Sequence, residues 1–277
     1  MKHCYLFLAL VLVGCSSGIK QVDQTQRNLA LGLPSNLTEA LSSPFRTPQN
    51  LERDRYRHPL QTLAFFKISP EMTVVEISPG AGWYMEILAP YLAERGQYVG
   101  AIPPANNAYM TELQTKVRTW MDKYPQVGGK MKITVLDPAK KVDVAPAGSA
   151  DLVLTFRNVH NWMTGGFAQE AFASFYRALK PGGILGVVEH RADPKSNDPE
   201  AKSGYVREAD VIAFAKKAGF RLEEKSEINA NPKDTKDHPE GVWTLPPTLK
   251  LGEKDKEKYL AIGESDRMTL RFVKPKK

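Results

Sequence analysis

From Met72 onward the chain alternates short apolar runs with amphipathic stretches, and that alternation constrains the fold more than any other feature. Thr73 to Ile77 reads as a buried strand, Tyr98 to Ile102 as a second, and Lys132 to Leu136 as a third. Asp151 to Phe156 and Ile184 to Glu189 follow as the fourth and fifth. Between them lie helical patterns. Trp83 to Glu94 carries Pro90 as a kink, and Met110, Leu113, Val117, Trp120 and Tyr124 share one helical face. Phe172, Phe175, Tyr176 and Leu179 share another, ahead of Lys180-Pro-Gly-Gly183. Val206 to Ala218 is closed by Gly219. Two further strands are predicted near Arg221 to Ile228 and Met268 to Val273, with a long insertion between them. Strands apolar on both faces and separated by helices predict an α/β, Rossmann-like sheet covered on both sides. Ligands of such sheets bind beyond the carboxyl ends of the strands. That rule selects the loops after Ile77, Ile102, Leu136, Phe156 and Glu189.

The loop after Ile77 is Ser78-Pro79-Gly80-Ala81-Gly82. Glycines there let the backbone approach a ligand closely. Glu76 lies inside the apolar run, where an unpaired carboxylate is costly, so it needs backbone or ligand donors. A dinucleotide fingerprint fits badly, because Met85 stands where its third small residue belongs. The loop resembles motif I of class I S-adenosylmethionine-dependent methyltransferases. The resemblance continues through Ile133 to Asp137, Ala145 to Thr155 and Ala178 to Leu185, and covers roughly residues 60–228. Gly80 to Tyr84, Thr155 to Trp162, Val187 to Arg191 and Asn229 to His238 also resemble a bacterial family of predicted methyltransferases.

The resemblance implies a seven-stranded sheet in the order 3-2-1-4-5-7-6, the last strand antiparallel, with the insertion before that last strand. It implies S-adenosylmethionine as cofactor, held by Glu76, Ser78, Pro79, Gly80, Ala81, Gly82, Asp137 and Arg157. Two departures stand out. Ser78 replaces the usual first glycine. No Asp or Glu lies between Glu94 and Glu112, although an acidic residue usually ends the second strand and holds the ribose. Asn106 and Asn107 are the neutral substitutes at that end.

Two polar groups follow the fourth and fifth strands. Arg157-Asn158-Val159-His160-Asn161-Trp162 and Glu189-His190-Arg191 are expected at one rim. Asn158, His160, Glu189 and His190 are the candidate catalytic residues: an imidazole to take an acceptor proton and Glu189 to orient it. They are expected to line one concave pocket with Gly80, walled by part of Asn229 to His238. That insertion, stiffened by Pro232, Pro239, Pro246 and Pro247, reads as a lid or pocket wall. Asp234, Asp237 and His238 in it resemble metal ligands only loosely, and no metal site is expected.

The amino terminus carries a different signal. Lys2 and His3 precede an apolar run from Tyr5 to Val13, too short for the ~20 residues of a membrane span. Leu12-Val13-Gly14-Cys15 follows and resembles a bacterial lipobox. It implies a signal peptide over 1–14 and a lipidated Cys15. Ser16 resembles the sorting residue of outer-membrane lipoproteins, which places the chain in the cell envelope. Residues 15–50 then read as a tether and 51–277 as the methyltransferase-like domain. Both cysteines lie at positions 4 and 15, so no disulfide, zinc thiolate or cysteine nucleophile is available in the domain. The charge of +7 comes from 38 basic and 31 acidic residues spread along the chain, so no nucleic-acid partner is expected. An envelope location sits poorly with a cofactor made in the cytoplasm. The alternative is a degenerate methyltransferase-like fold acting as a binding or interaction module, or the same crevice used for another chemistry.

Overall fold

The computed structural model describes residues 32–137 and 143–276. The lipobox and Cys15 lie outside the described residues. Seven strands form one sheet: β1 Thr73–Ile77, β2 Gln97–Ile102, β3 Lys132–Val135, β4 Ala150–Phe156, β5 Leu179–His190, β6 Arg221–Ser226 and β7 Arg267–Val273. Their order is β3-β2-β1-β4-β5-β7-β6, as the resemblance implies. β1 to β5 are mutually parallel, and β7 runs antiparallel between β5 and β6. β5 begins earlier than the sequence predicts. Leu179 pairs with Ala150, and Gly182 and Gly183 exchange backbone bonds with Lys274, so Lys180 to Gly183 enters the sheet.

The helices are α1 Leu37–Leu41, α2 Pro48–Leu51, α3 Asp54–Arg57, α4 Pro59–Phe65, α5 Met85–Leu92, α6 Ala108–Lys123, α7 Pro125–Gly128, α8 Val159–Thr164, α9 Ala168–Ala178, α10 Glu208–Ala218 and α11 Lys256–Ile262. Two apolar layers sandwich the sheet. Val75, Ile77, Val153, Leu185 and Val187 pack against Phe172 and Phe175 of α9 and Val211 of α10. On the other face Val74, Leu152 and Leu154 pack with Leu63, Phe66, Ile87 and Leu88. The split follows strand alternation: Val74 and Val75 are neighbours that face opposite layers. Every residue of α5 is buried, and Pro90 is accommodated within it.

Part of the expected tether belongs to the domain. Phe45 is 2% exposed and sits in the second layer with Leu33 and Ala40. The Trp120 indole donates to Phe45 O at 2.9 Å and the Trp83 indole to Asn50 O at 2.8 Å. Arg46 pairs bidentately with Asp54. Sparse, spaced apolar residues hid this segment from a reading based on periodicity. No helix among the described residues is long and apolar enough to cross a membrane.

Candidate functional site

The loop after β1 turns through three left-handed residues: Ser78 at φ 49°, Gly80 at 61° and Gly82 at 92°. Ser78 therefore occupies a conformation that favours glycine, which is why a glycine is usual at that position. Its amide donates to Ala101 O at 2.8 Å, tying the loop to β2. A Cβ placed on Gly80 would meet nothing within 4 Å, whereas one on Gly82 would strike the Met85 methyl at 2.7 Å. Gly80 thus borders open space, and at Gly82 the φ of 92° favours glycine more than the contact does, since the Met85 methyl ends a flexible side chain.

Glu76 is 2% exposed and turns onto the face of β2. The Tyr98 hydroxyl donates to it at 2.7 Å. Burial pushes the Glu76 carboxyl up to about 8, and the tyrosine bond only partly opposes this. The expected cofactor contact is thus occupied by a buried tyrosine. Asp137 stands half-buried just past β3. At the end of β2, Asn107 is consumed as the cap of α6, accepting from Met110 N, and its own amide donates to Asn106.

The two polar groups after β4 and β5 do meet. Glu189 is fully buried, and three donors hold its carboxylate. Val159 N donates at 2.6 Å, His190 N at 2.8 Å, and His160 Nδ1 at 3.1 Å. The carboxylate can only accept, so His160 Nδ1 is the donor in this bond, and a ring carrying a single proton holds it there. The His160 and His190 rings lie 5.4 Å apart. His190 Nδ1 contacts Ser265 Oγ at 2.5 Å. Burial, then the charges of His160, Arg157, Arg267 and Arg57, hold His190 well below the usual histidine range, so it is neutral. Asn158 donates from Nδ2 to Ile77 O at 3.0 Å and to Phe156 O at 3.3 Å. It bridges the ends of β1 and β4 and so fixes the glycine loop relative to the histidines.

The insertion supplies a wall to this group. The Trp243 ring stands 6.1 Å from His160 at 74°. Asp234 accepts from Tyr205 Oη, His238 Nε2 and the Asp266 amide. Asn229 donates to Thr62 and Thr269, and Asn231 to Ile262 O and Glu264 O. Two clefts stand out elsewhere among the described residues. One of about 610 Å³ is lined by Thr134, Val135, Asp143 and Arg177, the other of about 330 Å³ by Ala192, Ser203, Tyr205 and Lys236. Gly80, His160 and His190 border neither, so the concave pocket expected to unite them is neither of these clefts.

Sequence reasoning missed a group of buried arginines beside the histidines. Arg57 is 2% exposed, Arg267 3%, and Glu264 4%. Glu264 pairs with Arg53 at 2.7 Å, Arg267 at 3.2 Å and Arg57 at 3.4 Å. Burial raises the Glu264 carboxyl, but Arg57, Arg267, Arg53 and Arg157 outweigh it and hold it at about 2. Half-buried Arg157, whose φ is 61°, joins the same field, and burial lowers its guanidinium to about 10. In the sequence, Arg53 to Arg57 stands out only as a heavily charged run. α3 ends at His58, left-handed at φ 40°, and Pro59 opens α4; of α3 only Arg57 is buried.

His160, Glu189 and His190 offer ligand atoms within 4.8 Å of one another, as a metal site would. Glu189, however, already accepts three hydrogen bonds, and the arginines make the surroundings positive. That field favours an anion over a cation.

No family model matches the chain, and no curated protein does. Solved structures do. A SAM-dependent methyltransferase from Aquifex aeolicus is similar at a TM-score of 0.53 and 15% identity, over 86% of this chain and 98% of that one. The geranyl diphosphate C-methyltransferase of Streptomyces coelicolor A3(2), in complex with Mg2+, geranyl diphosphate and S-adenosyl-L-homocysteine, gives 0.56 and 13%, over 94% and 99%. The [4+2]-cyclase SpnF gives 0.55 and 16%, over 93% and 96%. At these identities the likeness is one of fold: the class I methyltransferase fold.

Proposed function

We propose that the protein is an S-adenosylmethionine-dependent methyltransferase whose acceptor is deprotonated by His160. The observation that carries this reading is the union, within one methyltransferase sheet, of a left-handed Gly80 facing open space and a His160–Glu189 pair held to the same strand ends by Asn158. The loop leaves room for a bound group, since a Cβ on Gly80 would meet nothing within 4 Å. Ser78 to Gly82 would hold the amino-acid end of the cofactor and Asp137 its adenine side. When bound, the cofactor supplies an electrophilic sulfonium methyl. The chain's own residues then position and deprotonate. Glu189 holds Nδ1–H of His160, so Nε2 is the atom that accepts the proton of the acceptor's nucleophile. Trp243 against His160 keeps water from that imidazole. Much of the rate in such an in-line displacement comes from orientation, which Asn158 and Glu189 supply by fixing the loops.

The lipobox supports a further part of this reading, in which Cys15 is lipidated and the domain faces the cell envelope. Mass spectrometry of the mature amino terminus tests that: a diacylated or triacylated Cys15 is expected, and an intact Met1 overturns it. A second reading is a binding module, or another chemistry, on the same fold. The missing carboxylate at the end of β2 favours it. So does the existence of a cyclase among the similar structures, since fold alone does not fix reaction. Calorimetry of the full chain in detergent with S-adenosylmethionine and S-adenosylhomocysteine separates the two. Binding of both with one site per chain is expected, and no heat at millimolar ligand would leave the second reading in place.

A further inference from the structure

Arg53, Arg57, Arg157 and Arg267 gather around a single carboxylate, Glu264. Four guanidinium groups around one carboxylate leave positive charge in excess in a mostly buried place, where burial itself disfavours the charged form of Arg57 and Arg157. Buried charges are ordinarily paired. Here the pairing is incomplete at the level of single atoms. Both terminal nitrogens of Arg57 and Nη2 of Arg53 are buried without a hydrogen-bond partner. The Arg57 guanidinium lies 4.6 Å from the centroid of the Trp83 ring, and that face satisfies its charge but none of its N–H groups. Arg157 and Arg53 are the half-buried members, and the neighbours of Arg157 in the field include Tyr84 of the loop after β1.

The place matters as much as the charge. Arg157 immediately precedes Asn158 and His160, and Arg267 opens the strand paired to Glu189 and His190. The arginines therefore stand beside the imidazole pair, close enough to add to the burial that lowers His190. S-adenosylmethionine cannot balance such a group. It brings one carboxylate together with an ammonium and a sulfonium, so its binding adds positive charge. The balance has to come from the other ligand.

We infer that the arginine group receives an anionic group, carboxylate or phosphate, of the methyl acceptor, and that Arg157 and Arg57 are its ligands. The role of acceptor rests on the methyltransferase reading; the anion site itself does not. Guanidinium forks with free N–H groups match the planar or tetrahedral oxygens of either group. The acceptor is then an acid whose nucleophile reaches His160 while its anionic end is held among the arginines.

Inorganic phosphate is the probe. Thermal melting of the full chain in detergent is followed with phosphate and with chloride at matched ionic strength, each with and without saturating S-adenosylhomocysteine. Phosphate is expected to raise the melting temperature by about 3 °C or more over chloride, whether or not S-adenosylhomocysteine is present. Arg157→Gln, at a position that is not fully buried, should lose most of that rise, and Arg157→Lys should keep part of it. No rise in the wild type, or a rise unchanged in Arg157→Gln, overturns the inference. Mutual exclusion of phosphate and S-adenosylhomocysteine also overturns it, by giving the arginines to the cofactor's carboxylate. A phosphate effect in a chain that binds no S-adenosylhomocysteine would sustain the anion site while the methyltransferase reading fell.

Discussion

Glu76 carries a pH dependence of its own. Buried against Tyr98, it binds its proton up to about pH 8, whereas unfolded it titrates near 4.5. A carboxyl raised in the folded state contributes stability that is fully present below the unfolded value and is lost as pH climbs through the folded one. Stability should therefore fall between pH 4.5 and about 8, at up to ~1.4 kcal/mol per pH unit from this residue. Glu76→Gln keeps an oxygen for Tyr98 and has no proton to lose. Urea midpoints measured from pH 5 to 9 should decline less steeply for the variant, and parallel curves would refute the assignment. At this scale the sequence was a partial guide. It showed that Glu76 in an apolar run needs donors but not that Tyr98 supplies one, because two strands must pair before the side chains meet. The same limit explains Arg57. Its burial depends on Trp83 and Glu264, the latter more than two hundred residues away in sequence.

Among the elements, the insertion between β6 and β7 gains most from the structure. It was legible as an unusually long connection stiffened by prolines, and its nearness to His160 through Trp243 agrees with a wall. Its polar residues are internal fasteners: Asp234 accepts from the Asp266 amide, and Asn231 donates to Ile262 O and Glu264 O of the chain that leads into β7. One pin is Gly241, at φ 56°, where an added Cβ would stand 2.1 Å from Ser203 O. The adjacent Val242 amide donates to that same carbonyl at 2.9 Å. Gly241→Ala must displace the segment that carries Trp243, and a loss of about 2 kcal/mol is expected from strain and the broken bond. Urea unfolding checks it, and an unchanged midpoint would show that the segment yields freely.

For the whole molecule, strand and helix positions followed the hydrophobic periodicity closely, since buried parallel strands leave a continuous apolar signature. The order of strands came from motif resemblance, and the structure has that order. The site was legible as far as neighbouring strand ends go: His160, Glu189 and His190 meet because β4 and β5 are adjacent and parallel. The arginine group was not, since it draws on α3, the loop after β4 and the start of β7. The central claim is that the Gly80 loop and the His160–Glu189 pair form one methyl-transfer centre. A crystal structure of the full chain with S-adenosylhomocysteine tests it most directly. The thioether sulfur is expected between the Ser78 to Gly82 loop and His160, with the adenine toward Asp137. Density for the ligand at any other place, or none at saturating concentration, would contradict the account.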